Sequence, residues 1–545
     1  MKQALPALST RSLVALVTLL ALACGSDDPA QTLTLGPAGG ELSAGDAHVT
    51  FPEDALTTDT ELTLGRISQR DVAALGPNEQ FTGAPYLVAP ADAELESPVT
   101  IVLPYSGDDA DLFVFAAPGL EGPWRLVRDP VFENGRATFS TSTLGVFVVV
   151  RAFSASLSPL PATPRFVVVN SDRSSAAISM LNAQAEAIDA EWFTSGDALS
   201  GLVAALGSDV TLPTTFTAGH IMVLDRFRVD VLTNIAIPGG EIVGQLRTHE
   251  RAVTTGFSSN PQDYLELSAT SGWVSRFGAN LDEAAPATER GSDLIEIDPS
   301  TMQRTGRRVD LTSFTQVVDD TDVHPRPSRM LAMGGRMVIG LGLLSSNFRA
   351  SSEGVLVVVD PSDLSVTSLA LSGLRNCGTL VPVPGDATRA MVACIGHSPT
   401  YDEAEVRATA GVVVVHMSDA HELVEEARWE VAADEGAGAS VYGHVALSDD
   451  EFVAVAYGNR TAGTNDVLYR VVISTGEQTQ LAETAGQYML GTLAFDPMSD
   501  LLLVPDAATG LRRFTLTGDG ASEGGTVALT MPRGLPPRHA YLLAP

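Results

Sequence analysis

The chain has 545 residues, 45% hydrophobic, 18% charged and 6% aromatic, with a formal net charge of −33. So much apolar residue excludes a disordered chain, and so great a length excludes one ordinary core, so two or three folded domains are expected. Strong acidity argues against nucleic acid and anionic lipid headgroups as partners, and Lys2 is the only lysine. A chain shed of its leader would therefore have no phosphate-loop lysine, no Schiff base and no lysine general base.

Residues 1–23 have a short basic start (Lys2, Arg11), the apolar run "LVALVTLLALA" and small residues ahead of Cys24, the layout of a secretory signal peptide. The run is too short for a retained spanning helix. "ALAC" resembles a bacterial lipobox, although Ala21 stands where leucine is commoner. The resemblance implies that Cys24 is lipidated, palmitate included, and anchors a lipoprotein in the membrane. A leader cleaved near Ala23 is the alternative. Residues 24–31 read as a polar tether. Gly25 after the anchor cysteine resembles the pattern that sends lipoproteins to an outer membrane, so the expected location is the bacterial cell envelope, on its periplasmic or surface face.

Residues 32–152 show short β runs broken by Gly, Pro and Asp, without a helical period, and predict a β-sandwich. "GPAGGELSAGDAHVTFPEDALTTDTELTL", "ESPVTIVLPY", "GPWRLV" and "GRATFSTSTLGVFVVV" occur in that order and resemble the ZU5 domain of ankyrins, netrin receptors and bacterial surface proteins. Some relatives cleave themselves at a His-Phe-Ser step. Thr143-Leu144-Gly145 stands in that place here, without the histidine or the nucleophile, so no self-cleavage is expected. The resemblance implies protein contacts, with an envelope or extracellular protein as partner.

Residues 153–163 are Ser/Pro-rich and read as a linker. Residues 164–545 repeat a unit of apolar strand, polar turn and second strand, starting near Ser175, Gly219, Ser292, Gly354, Gly411, Asp466 and Gly510. The spacing suits four-stranded propeller blades. First hairpins of blades fall between the units, among them "NCGTLVPVPGDATRAMVAC", the first two strands of the fifth blade. A type II′ turn on Gly385-Asp386 would set Val383 opposite Thr388 and Leu380 opposite Met391. Cys377 then faces Cys394 in an open pair with α-carbons about 4.5 Å apart. The expectation is a structural disulfide in an oxidising compartment, and two buried free thiols are the alternative.

"RFVVVN" opens the first repeat without an innermost strand, and "GLPPRHAYLLAP" reads as the strand that closes the ring. With the "IDPSTM" and "VDPSDL" turns, this resembles the seven-bladed YncE-like and lactonase-like propeller superfamily over about 380 residues, and without Trp-Asp endings the blades differ from true WD40 repeats. The expected fold is thus all-β, a ZU5-like sandwich followed by a seven-bladed propeller.

No metalloprotease, nucleophile-elbow, haem or phosphate-loop motif occurs. "GLGLLS" from Gly340 reads as a blade strand, and Asp449 and Asp450 read as turn residues. Asp319, Asp320 and Asp322 offer clustered oxygens for a cation but equally a solvated loop. No cofactor is expected. His220, His416 and His421 fall on outer hairpins. By repeat alignment Arg329, Asn376, His444, Arg538 and His539, with His324 near, precede or open innermost strands at the channel mouth. They would suit a carboxylate, a phosphate or an acidic peptide, or would merely neutralise neighbouring carboxylates. The expectation is a non-enzymatic envelope lipoprotein whose propeller is a recognition or scaffolding platform; the alternative is a lactonase-like or quinone-dependent dehydrogenase-like enzyme. Basic inner positions and the lack of lysine favour the first.

Overall fold

A computed structural model describes residues 30–543, apart from 74, 76–78, 108–111, 123, 128–129, 153–155, 198–201, 203, 250–256, 283, 401, 432–440, 459–462, 519, 528 and 530–533. The leader, Cys24 and most of the tether lie outside the described residues. The chain divides into two compact units, residues 1–154 and 155–545.

In the first unit two antiparallel sheets share one core. Val99–Pro104 shows why: Val99, Ile101 and Leu103 are buried while the residues between them face outward, the period-two pattern of a half-buried strand. Their partners in the core include Leu42, Val49, Leu62, Phe139 and Phe147. Thr143 and Leu144 lead into the strand Gly145–Ala152.

The second unit contains seven four-stranded antiparallel sheets among its described residues. Their innermost strands are Pro537–Leu542, Val210–Thr211, Pro261–Ser268, Pro327–Met333, Thr379–Val383, Val441–Ala446 and Ala494–Asp496. Many second and third strands are apolar on both faces, as in Phe166–Ser171 and Leu501–Asp506, because each blade is packed against a neighbour on either side. A separate apolar cluster fills each junction. The cluster of Phe166, Val168 and Ala540 with Ala494, Leu503 and Leu511 joins the seventh blade to the first. Ring closure is direct: Pro537–Leu542 pairs with Phe166–Ser171, so the first blade takes its innermost strand from the far end of the chain. The Ser/Pro-rich stretch lies against this unit, with Leu157 and Leu160 buried and Ser158 O accepting from Trp192 Nε1 at 2.9 Å.

Two expectations need correction. The repeat starting at Gly219 comprises the second and third strands of its blade (His220–Asp225 and Val231–Ala236), whereas the other units are third and fourth strands. In the fifth blade Leu380 pairs with Val392, not Met391, and Val383 pairs with Asp386, not Thr388. The loop is Pro384-Gly385, with Gly385 at φ 78°, which is the type II preference for Pro then Gly. The register shift between Pro382 and Val383 absorbs the difference. Cys377 lies just ahead of the strand, and the disulfide to Cys394 forms, with α-carbons 3.9 Å apart and both residues buried.

A three-stranded sheet (Gln316–Val318, Thr321–His324 and Leu344–Ser345) is added beside the third and fourth blades. Asp319 and Asp320 form its left-handed turn and are exposed, as is Asp322. Among the described residues no group of three or more His, Cys, Asp or Glu is placed to hold a metal ion.

Candidate functional site

The innermost strands surround a cavity of about 860 Å³. Its titratable lining consists of Arg165, Arg226, Arg329, His444, His539 and Tyr541, with no carboxylate among the described lining residues. Each of the three arginines is paired with an aspartate behind the wall, Arg165 with Asp496, Arg226 with Asp209 and Arg329 with Asp263.

Arg329, in the innermost strand of the fourth blade, is tied into the wall. It donates to Leu212 O (2.8 Å), Gln262 O (2.9 Å) and Thr211 Oγ1 (2.8 Å), and its NH1 lies 3.6 Å from Asp263 Oδ1. Asp263 is fully buried and accepts from Thr214 N, Thr214 Oγ1 and Met330 N. Burial pushes the Asp263 carboxyl up, against the pull of Arg329. Burial also works against the Arg329 charge, but Asp263 and Tyr541 outweigh it and hold the guanidinium above its ordinary value. Tyr541 Oη completes the network at 2.9 Å from Thr211 Oγ1. Four blades are latched together here through Arg329.

His539 lines the cavity from the strand that closes the ring. Its Nδ1 lies 2.9 Å from Thr492 Oγ1, and Nε2 has no partner among the described residues. Enclosure, followed by Arg226, Arg329 and Arg538, lowers its pKa to about 3. The ring is therefore neutral at pH 7, and when Nδ1–H donates to Thr492, Nε2 presents its lone pair. His444 is deeper, with Nε2 3.4 Å from Met391 O and Nδ1 unpartnered; burial lowers its pKa to about 4. Asn376 also lines the cavity, held at φ 54°.

Arg538 does not line it. Its guanidinium instead donates to Ser171 O (3.1 Å) and Tyr488 O (3.3 Å). His324 belongs to the added sheet and bonds Ser346 Oγ at 3.0 Å. His220 and His416 pair with Glu266 and Glu426. Asp450 accepts from Ser474 N and Ser474 Oγ.

The residue missed from sequence is Arg226. It follows the second strand of the second blade, pairs with Asp209, and donates from NH1 to Gln262 Oε1 at 3.0 Å. Two of its five N–H groups stay uncommitted where it lines the cavity. The signal was "LDRF", hidden because that repeat was assigned one strand out of phase.

No protein-family model matches the sequence, and no curated protein matches it. Solved structures do. A provisionally named 6-phosphogluconolactonase from Bacteroides fragilis is 10% identical, with a TM-score of 0.43, over 70% of this chain and 99% of that one. The periplasmic gluconolactonase of Pseudomonas aeruginosa is 13% identical, with a TM-score of 0.41, over 70% and 99%. The Swd1 β-propeller domain of Myceliophteria thermophila is 11% identical, with a TM-score of 0.41, over 67% and 100%. These likenesses concern the fold alone, and the seven four-stranded sheets of the second unit make it a β-propeller. Two of these propellers are described as lactonases, which stands against the expectation of a non-enzymatic recognition platform.

Proposed function

We propose that the propeller hydrolyses a small anionic lactone in its central cavity. What carries the reading is the pairing, among described lining residues that include no carboxylate, of a neutral His539 with no described partner at Nε2 and an Arg226 with two N–H groups uncommitted among the described residues. Arg226 would hold the anionic substituent. His539 Nε2 would orient the water by accepting its hydrogen bond as the oxygen attacks the lactone carbonyl carbon and the water's proton passes towards the ring oxygen. The ring C–O bond then breaks, and the departing ring oxygen takes up that proton as a hydroxyl. This is the activity named for two of the propellers above, and here it rests on the chemistry of the cavity.

The test is turnover of glucono-δ-lactone and its 6-phosphate by the purified full chain, against spontaneous hydrolysis. His539→Leu, which removes the acceptor that orients the water, should lower kcat. Wild-type rates equal to the uncatalysed background on both substrates would refute the reading.

We further infer a ZU5-like first unit and a lipid anchor at Cys24 placing the protein in the cell envelope. The lipobox-like "ALAC" supports the anchor, and a buried disulfide suits an oxidising compartment. Release from membranes by Cys24→Ala tests it.

A further inference from the structure

One part of the cavity wall differs from the rest. Phe277 and Phe348 both line the cavity, nearly parallel at 15° with ring centroids 6.4 Å apart. The guanidinium of Arg326 lies against both rings, 5.0 Å from the first centroid and 4.9 Å from the second. Arg326 is buried and donates to carbonyls only: Leu344 O, Ser345 O and Phe277 O.

Phe348 is 47% exposed and sits at φ 58°, a conformation that a bulky side chain rarely adopts. Arg326 (φ 50°) and Leu343 (φ 46°) share the left-handed region in the same corner. Such strain persists only where surrounding bonds over-determine it, and it gathers at ligand clamps. The bonds are present. Ser345 Oγ accepts from Arg349 N and Ala350 N, Phe348 N donates to Ser345 O, and His397 and Arg349 brace the loop from the fifth blade through Phe348 O and Pro399 O. Leu344 and Ser345, at the root of this loop, belong to the added sheet. This braced loop thus presents the exposed ring of Phe348 on the wall of the cavity that Arg226, Gln262 and His539 also line.

We propose that Phe348, backed by Arg326 and Phe277, is a stacking shelf for the ring of a sugar acid: the C–H face of the ring lies on Phe348 while the anionic group reaches Arg226. This deepens the hydrolase reading by assigning the substrate to cyclic sugar acids rather than open-chain ones, and it rests on that reading for the identity of the site.

The test is calorimetric titration of the full chain with glucuronate, which has a ring and a carboxylate, and with adipate, which has only carboxylates. Wild type should bind glucuronate at least about tenfold more tightly than adipate, a difference of about 1.4 kcal/mol. Phe348→Ala should remove that preference, Phe348→Tyr should keep it, and Arg226→Ala should weaken both ligands. Equal binding of the two ligands by wild type, an unchanged preference in Phe348→Ala, or no binding of either ligand overturns the shelf. Ring-dependent binding without lactone turnover would leave the shelf standing and sink the hydrolase reading.

Discussion

Asp263 and Arg329 neutralise each other within the ring of innermost strands, and removing one leaves the other charge stranded. At 3.6 Å and an effective dielectric constant of about 20, their attraction is about 4 to 5 kcal/mol, much of it offset by the desolvation of both ions. Arg329→Met should therefore destabilise the propeller by about 3 to 5 kcal/mol, because it leaves an unpaired buried carboxylate. Asp263→Leu should be at least as damaging, since Thr214 N, Thr214 Oγ1 and Met330 N also lose their acceptor, each orphan worth about 1 to 3 kcal/mol. The double variant strands neither charge, so its loss should fall short of the summed single losses by at least about 2 kcal/mol. Urea unfolding followed by tryptophan emission measures this cycle, with Trp192, Trp273 and Trp429 reporting from the propeller. Single losses below about 1 kcal/mol, or strict additivity, would show that the pair is not a latch.

Replacing both Cys377 and Cys394 with alanine opens a loop whose ends are 17 residues apart, which should cost about 3 kcal/mol in the chain-entropy account. Loss of less than about 1 kcal/mol in reducing-agent-free buffer would contradict it. His444 has an ordinary pKa of 6.5, lowered to about 4 by burial. A base with a depressed folded pKa favours the folded state fully above pH 6.5, and that contribution is lost as pH falls towards 4. The window is worth about 3 kcal/mol. His444→Leu should flatten the decline in Tm between pH 7 and pH 4.5, and an unchanged slope would refute the assignment.

Blades were legible from sequence because each hairpin pairs an apolar run with a polar turn. Legibility failed where a strand was too short to leave a pattern: Val210–Thr211 has only two residues, so its blade was phased one strand late and Arg226 went unseen. The disulfide survived a one-residue register error because Cys377 precedes the paired strand and reaches Cys394 from a loop. Arg538 was placed at the channel mouth by alignment alone, which could not foresee that its guanidinium is spent on Ser171 O and Tyr488 O. The Phe348 loop has no counterpart in the repeat, so no periodic signal marks it.

Closure of the ring also dictates the order in which the molecule can be completed. Arg165 NH1 and Leu543 O meet at 3.2 Å across 378 residues of chain. Bringing such distant segments together carries an entropic penalty of about 5 kcal/mol before any contact repays it. Until the last strand arrives, Phe166–Ser171 has an unpaired edge, the sort that recruits other chains. A newly made molecule therefore stays exposed to aggregation for as long as its final residues are delayed, and chaperone demand should track the supply of that one strand.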